Sequence, residues 1–406
     1  MNWKFQKFRA GQLNRWEFLI PPGTATETDA YLADVFGAPF LPGQSIPTGQ
    51  VFPEKFILEK SNFKQALEIL ARIPWLTDFR LNLGKYKLDK AFSFDGFESA
   101  LKDSGLLPSG WSLKLHPQAK GNSSLGREEI QTLWDEHKSS FQDGSLFTEL
   151  NALCIGHEMI LSLSMCGDPL FKRGRFKPLG KSAPVRENLA SFLLWRLQQR
   201  LSEVDALIVP FAGSGTFVWE GAHRILSLSF PHYKRRFFFQ DLLEFPQNTW
   251  EFLYSRLLRE RSNDHLKIWI NELERETWNY LQERKEEYSK YLIDLNSSFA
   301  LDFSGENSDF FTVNSKIVWE SLGEPKNIWI PVNPPYGLRI QTGSNSNFYR
   351  KLGRKLSEWK NLPANVVGFV MCPTEQSWSE ILNELKKHVE TIHVTHGGMD
   401  LRVLYF

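Results

Sequence analysis

The spacing of apolar and polar positions changes several times along the chain, and each change marks an element. Trp16 to Ile20 reads as a short apolar strand, and from Thr28 to Phe36 apolar residues recur at helical spacing until Gly37 ends the run. A second helix is expected from about Asn62 to Arg72, with Phe63, Ala66, Leu67 and Leu70 on one face. Trp111 to His116 alternates apolar and polar residues, Gly126 to His137 has a helical pattern, and Glu158 to Cys166 reads as a strand through Met159, Leu161, Leu163 and Met165. Strand and helix alternate here in an α+β manner. This half shows no catalytic constellation, which suits binding or scaffolding.

The second half is more regular. Ser182 is a good N-cap, Pro184 fits a first helical turn, and Leu189, Leu193, Leu197 and Leu201 form one apolar face. The apolar strand Ala206 to Val209 then runs through Pro210 and Phe211 into Ala212, Gly213, Ser214, Gly215 and Thr216, a glycine turn ahead of a helix that begins near Phe217. The stretch from about Trp250 to Ile293 mixes charges with spaced Leu, Trp and Tyr. It reads as one or two amphipathic helices inserted in the domain, either a solvated face or an RNA-facing elaboration. Ile328 to Val332 is a second apolar strand; its Pro331 cannot donate to a ladder and must lie at the strand's end or on a bulge. Val366 to Met371 is a third, and Gly397 and Gly398 between two alternating runs signal a terminal hairpin.

The strand at Ile328 closes on Asn333, Pro334, Pro335 and Tyr336, followed by Gly337. An Asn side-chain oxygen accepts a hydrogen bond from an exocyclic amine. Two prolines fix φ and carry no N–H, so their carbonyls can face a ligand, and a Tyr ring can stack on a base. Pro-Pro pairs also mark plain loops, and a glycine turn alone also describes any βα connection. Specificity comes from finding both, in this order, on one predicted sheet. A basic stretch, Phe171, Lys172, Arg173, Gly174, Arg175, Phe176 and Lys177, is either a solvated loop or a surface for phosphates and bases.

Composition narrows the setting. With 406 residues the chain is long enough for two or three domains, and 48 Lys and Arg nearly cancel 47 Asp and Glu, so any RNA contact rests on local patches. Cys154, Cys166 and Cys372 are scattered among apolar neighbours, as reduced core thiols of a cytoplasmic protein would be. No run of apolar residues has the length of a membrane span, and the N-terminus lacks a signal peptide's apolar stretch. His393 and His396 have no Cys or acidic companions, so no metal is expected there. Oligomeric state is not legible.

Five ordered motifs carry a resemblance: Leu163 to Gly167, Phe171 to Phe176, Ala183 to Ala190, the Gly213 to Thr216 loop, and Asn333 to Gly337. In this order the chain resembles the THUMP-domain, S-adenosylmethionine-dependent guanine-N2-methyltransferases of large-subunit ribosomal RNA. The resemblance implies an α/β class I (Rossmann-like) methyltransferase domain over 171–406, with the helical insertion at about 250–293. A ferredoxin-like region over 1–65 and a THUMP-like RNA-binding domain over 66–170 would precede it. It further implies S-adenosylmethionine held by Pro210, Ala212, Gly213, Ser214, Gly215, Thr216 and Asp302, with Asp302 as the acidic residue at the end of the second strand. Catalysis is then expected at Asn333, Pro334, Pro335 and Tyr336, and RNA contact at Lys172, Arg173 and Arg175. Val209 stands where such enzymes place an Asp. Two other readings stay open: a catalytically silent RNA-binding or assembly factor, and methylation of tRNA guanine or of adenine.

Overall fold

The structure, a computed structural model, describes residues 3–36, 49–90, 92–137, 146–173, 184–226, 235–257, 265–295, 300–335, 345–385 and 389–406. Two compact units emerge. Residues 1–20, 24–172 and 234–255 form the first, and 21–23, 173–233 and 256–406 the second.

In the first unit, β1 (Asn14–Leu19), α1 (Ala25–Phe36), β2 (Gly49–Phe52), β3 (Lys55–Ser61), α2 (Phe63–Arg72) and β4 (Asp78–Lys87) follow a β-α-β-β-α-β order. α2 forms where the periodicity places it because Asn62 caps it. The Asn62 side chain accepts from the Gln65 N–H at 3.0 Å, and the Gln65 side chain accepts from the Asn62 N–H at 2.9 Å. Its apolar face is buried, with Phe63 stacked on Trp16. α3 (Phe97–Asp103), β5 (Trp111–Lys120), α4 (Arg127–His137), β6 (Leu146–Ile155) and β7 (Glu158–Ser164) follow, and all seven strands join one sheet in the order β2-β3-β1-β4-β7-β6-β5. A division at residue 65 therefore falls inside α2, and β4 bridges the two expected regions by pairing with both β1 and β7. A bulge between Asn82 and Gly84 breaks the alternation of β4, which is why the pattern of apolar positions does not announce this strand.

In the second unit α5 (Glu187–Gln198) starts later than expected. Arg186 is its N-cap, still extended at φ −62° and ψ 136°, and Leu201 lies beyond its end. Pro184 favours extended backbone before it, and the helix begins only at Glu187. Ser182 lies outside the described residues. The buried strand β8 (Ala206–Val209) leads to α6 (Thr216–Ile225), after which residues 234–255 return to the first unit with most of α7 (Gln247–Leu257). Then come β9 (His265–Asn271), α8 (Arg275–Leu295), β10 (Ala300–Glu306), α9 (Ser315–Ser321), β11 (Asn327–Val332), α10 (Asn345–Lys360), β12 (Asn365–Cys372), α11 (Glu375–Leu385), β13 (Glu390–His396) and β14 (Met399–Tyr405).

The second sheet runs β10-β9-β8-β11-β12-β14-β13. Its first five strands are parallel and the terminal hairpin is antiparallel, the doubly wound α/β arrangement expected from the sequence. Gly397 and Gly398 at φ +59° and +80° make the hairpin turn. The charged stretch is not a helical insertion alone: α7 and α8 carry the charge, but between them Leu266, Ile268, Trp269 and Ile270 are buried in β9, a sheet strand. Averaging over a long charged window hides so short an apolar core. Pro331 sits near the end of β11. Pairing with β8 stops at Trp329, so the residue without an N–H lies where β11 is paired only with β12. All three cysteines are buried and free, and no helix among the described residues is long and apolar enough to cross a membrane.

Candidate active site

Register brings the carboxyl ends of the parallel strands to one level: Val209 is opposite Ile270, Asn271 opposite Glu306, and Val332 opposite Val370. The chain winds outward from β8 to β9 and β10, then crosses to β11 on the other side of β8. In open α/β sheets the crevice above such a reversal takes the ligand. Two of the sequence motifs meet there. The glycine turn Pro210 to Thr216 leaves β8, and Asn333, Pro334 and Pro335 leave β11, with Pro334 buried and its two neighbours half-buried. Tyr336 and Gly337 lie outside the described residues.

The turn is held open from below. Phe211, Gly213 and Gly215 all have positive φ, at +54°, +54° and +83°. The Ala212 N–H donates to the Asn271 carbonyl at 2.9 Å, and the Gly213 N–H donates to Glu272 Oε2 at 2.9 Å. Glu272 is the first residue after β9. Its other carboxylate oxygen accepts from the Glu274 N–H at 3.0 Å, and the Asn307 side chain donates to its carbonyl at 2.8 Å. A carboxylate at the end of the second strand, beside a glycine turn, is placed to accept both hydroxyls of a ribose. Asp302 does not hold that position. It is the third residue of β10, exposed, and opposite Lys267 near the start of β9, away from the carboxyl ends. Once β9 is read as helix, β10 is miscounted as the second strand; the signal that finds Glu272 is an acidic residue directly after the run Ile268 to Asn271. Val209 is buried and contributes no polar group.

The two glycines differ in what a side chain would meet. A Cβ at Gly215 would lie 2.6 Å from Trp219 Nε1 and 2.9 Å from Leu281 Cδ2, whereas one at Gly213 meets nothing closer than the Phe211 carbonyl at 4.0 Å. Gly215→Ala is therefore expected to lower stability by about 2 to 4 kcal/mol, from left-handed backbone plus overpacking. Gly213→Ala is expected to cost about 1 to 2 kcal/mol from backbone alone, while its methyl enters the space above the turn and abolishes ligand binding. Thermal melts paired with calorimetric titration separate the two effects; a Gly213→Ala protein that binds ligand as wild type does would contradict the placement.

Buried and half-buried aromatic rings cluster around Phe211 of the glycine turn and pack against the core of the sheet. Phe211 lies 5.3 Å from Phe310 and 5.9 Å from Phe348, and Phe311 lies 5.3 Å from Phe348. Asp309 sets the Phe310–Thr312 turn by accepting from the Phe311 N–H at 3.0 Å. In a chain with 32 phenylalanines these gave no signal, because they gather from three separate segments.

The basic stretch divides. Lys172 is exposed and paired with Asp168 at 2.9 Å. Arg173 does not face solvent: it is 6% exposed and bidentate to Glu220 of α6 at 2.9 and 3.1 Å. Gly174 to Lys177, including Arg175, lie outside the described residues. An exposed lysine and a buried arginine stand side by side in one short sequence, and charge content alone cannot tell them apart. Around the pair, burial pushes the Glu187 carboxyl up to about 7 despite Arg173. Burial and Arg173 hold His223 down at about 3, so it stays neutral between Tyr288 and Tyr291, whose hydroxyls lie 2.6 and 3.1 Å from its ring nitrogens.

These shifts oppose each other. A raised carboxyl contributes stability present below pH 4.5 and lost as pH rises through 7, whereas a lowered His contributes stability that grows from pH 3 to 6.5. Glu187→Gln is expected to gain stability relative to wild type between pH 4.5 and 7, by on the order of 1 to 3 kcal/mol. Denaturant melts at both pH values check this, and a constant difference between the two proteins would contradict it.

The family model for the RMKL-like methyltransferase domain matches residues 174–403. Ribosomal RNA large subunit methyltransferase K/L of Acinetobacter baumannii (strain ACICU) is 27% identical over 251 residues, covering 60% of this chain and 31% of its own length. The chain thus spans about a third of that relative. Among solved structures, the putative methyltransferase SMU.472 complexed with SAH superposes with a TM-score of 0.69 at 13% identity, covering 97% of this chain and 98% of its own. A possible methylase from Clostridium difficile 630 gives 0.66 at 17% identity, covering 97% of each chain. These likenesses give the fold: a Rossmann-like class I methyltransferase arrangement.

Proposed function

Because the chain belongs to the RMKL-like methyltransferase-domain family, we propose that it transfers a methyl group from S-adenosylmethionine to the exocyclic amine of a guanine in RNA, with large-subunit ribosomal RNA as the substrate. The observation that carries this reading is the meeting of the glycine turn after β8 with Asn333 to Pro335 after β11 at the sheet's reversal point. The residues present fit the cofactor: there is open room at Gly213 and a carboxylate, Glu272, bonded to the turn. Pro210, Ala212, Gly213, Ser214, Gly215 and Thr216 would cradle it, and Glu272 would take its ribose in place of Asp302. S-adenosylmethionine supplies an electrophilic methyl on a sulfonium.

The chain's own task is orientation. A guanine amine is a weak nucleophile because its lone pair is delocalised into the ring. Asn333 accepts a hydrogen bond from it through Oδ1, and the Pro334 carbonyl accepts another. Together they hold the lone pair towards the methyl and stabilise the positive charge that develops on nitrogen. Tyr336 stacks on the base. No strong general base is needed, since the nitrogen becomes acidic only after transfer. A stacked guanine must be flipped or presented single-stranded. The first unit, with its ferredoxin-like order followed by a THUMP-like region, supplies the grip on RNA, joined by Lys172 and Arg175 but not by the buried Arg173.

Single-turnover assays with radiolabelled cofactor on ribosomal RNA, transfer RNA and DNA test the reading. Label in ribosomal RNA alone is expected. Label in DNA would favour the adenine enzymes, and a protein that neither labels any substrate nor gives heat with S-adenosylhomocysteine would be a silent binding factor.

A further inference from the structure

Glu272, just past the end of β9, is held through its main chain as well as its side chain. Its N–H donates to the Glu306 carbonyl at 3.3 Å, and its carbonyl accepts from Asn307 Nδ2 at 2.8 Å. Asn307 Nδ2 also donates to the Leu273 carbonyl at 3.0 Å. Asn271, the residue before Glu272 and opposite Glu306 in register, reaches the other way. Its Nδ2 lies 3.2 Å from the Glu306 carbonyl and 3.1 Å from both the carbonyl and Oγ of Ser308. The two asparagines thus form a reciprocal clamp: the one at the end of β9 holds the segment after β10, and the one after β10 holds the segment after β9. β10 is an edge strand, so its exit has ladder support on one side only, and the clamp carries the hold past the last ladder pair.

The settings of the two differ. Asn271 is 1% exposed, and its carbonyl takes the Ala212 N–H of the glycine turn, so it also belongs to the packing of the sheet. Asn307 is exposed. Between them stands the carboxylate. Among the described residues it has two donors, one for each oxygen: the Gly213 N–H on Oε2 and the Glu274 N–H on Oε1. A carboxylate accepts at about four positions, two on each oxygen. One position per oxygen is left, which is what a vicinal diol with two neighbouring hydroxyl donors requires.

We propose that Asn271 and Asn307 are positioning residues that preset Glu272 for the 2′- and 3′-hydroxyls of the cofactor's ribose; the inference rests on the reading that Glu272 takes that ribose. Neither asparagine touches the ligand. The clamp fixes the main chain of Glu272, and the two N–H groups fix its carboxylate, before the ligand arrives. Without the clamp the side chain must be ordered on binding, which costs roughly three- to tenfold in affinity. That loss falls on the diol contact, since the proposed placement brings no other part of the ligand to Glu272.

The test compares S-adenosylhomocysteine with its 2′-deoxy analogue by calorimetry on the full chain. Wild type is expected to prefer the ribose compound by about tenfold or more, the worth of a hydroxyl bonded to a charged acceptor. Glu272→Ala removes the preference. Asn307→Ala, an exposed change expected to melt close to wild type, cuts it to about threefold or less. Asn271→Ala does the same but melts lower, because buried acceptors lose their donor. A purely structural role would weaken both compounds by one factor and leave their ratio at the wild-type value. That ratio in Asn307→Ala would overturn the proposal. The ribose placement fails separately: a wild-type protein that binds neither compound or both equally, or a preference that survives Glu272→Ala, removes the ribose from Glu272 and the proposal with it. A preference lost in Glu272→Ala and intact in Asn307→Ala leaves the ribose placement standing and refutes the clamp alone.

Discussion

Asn333→Ala is expected to slow methyl transfer by on the order of 10² to 10³ while leaving cofactor affinity nearly unchanged, the loss typical of removing one preorganised polar partner from a transition state. The reason is positional. Asn333 follows β11 at the level where the turn after β8 begins, whereas Glu272 and the Gly213 N–H lie on the β9 side of β8. In the proposed mechanism, orientation of the amine and capture of the cofactor would thus fall to different strands, and the two are expected to separate experimentally. Tyr336→Phe is expected to be mild, because stacking needs the ring and not the hydroxyl. Glu272→Ala is expected to show the reverse signature, weakening S-adenosylhomocysteine binding about tenfold or more by loss of a charge-assisted hydrogen-bond acceptor. Single-turnover rates and calorimetric constants on the same preparations read both. An Asn333→Ala protein that methylates at the wild-type rate while folded would reduce the motif to a strand-ending loop.

Arg173→Ala is expected to destabilise the second unit by about 3 to 5 kcal/mol, because it strips Glu220 of its bidentate partner and leaves a carboxylate buried alone. Both side chains are 5% exposed, so solvent screening does little to soften the loss. Replacing both at once, Arg173→Met with Glu220→Leu, is expected to be milder than either single change, since no uncompensated charge remains. Lys172→Ala, at an exposed pair, should stay within about 0.5 kcal/mol of wild type. Denaturant unfolding of these variants, with both single changes and wild type alongside, tests this. Were Arg173→Ala as stable as wild type but flatter in the salt dependence of RNA binding, the arginine would be a phosphate contact after all.

Much of the second unit was legible because its strands are short apolar runs closed by turn residues. The four residues of β8 are all buried, and Gly213 and Gly215 at positive φ are where only glycine is comfortable. The same logic found the Gly397–Gly398 hairpin. What escaped were strands whose apolar core is brief and whose neighbours are charged. β9 vanished between α7 and α8, and with it the identity of the second strand and of Glu272. β4, bulged and fading from buried to exposed along its length, concealed that the first unit has a single sheet. Arg173 shows a further limit: its own short stretch gives its charge, but its burial depends on Glu220, 47 positions away. The phenylalanine cluster likewise comes from three separate segments, Phe211, Phe310 with Phe311, and Phe348, and not from spacing within any one of them.

The most direct measurement is mass spectrometry of nucleosides from ribosomal RNA of cells lacking the protein, taken before and after incubation with purified wild type and S-adenosylmethionine. The expected result is the appearance of one N2-methylguanosine, absent from the untreated RNA and absent again when Asn333→Ala replaces wild type at the same time point. Contradiction would be an unchanged nucleoside profile with wild type, or a new methyl group on a carbon or a ribose, because neither product can come from an amine held by Asn333.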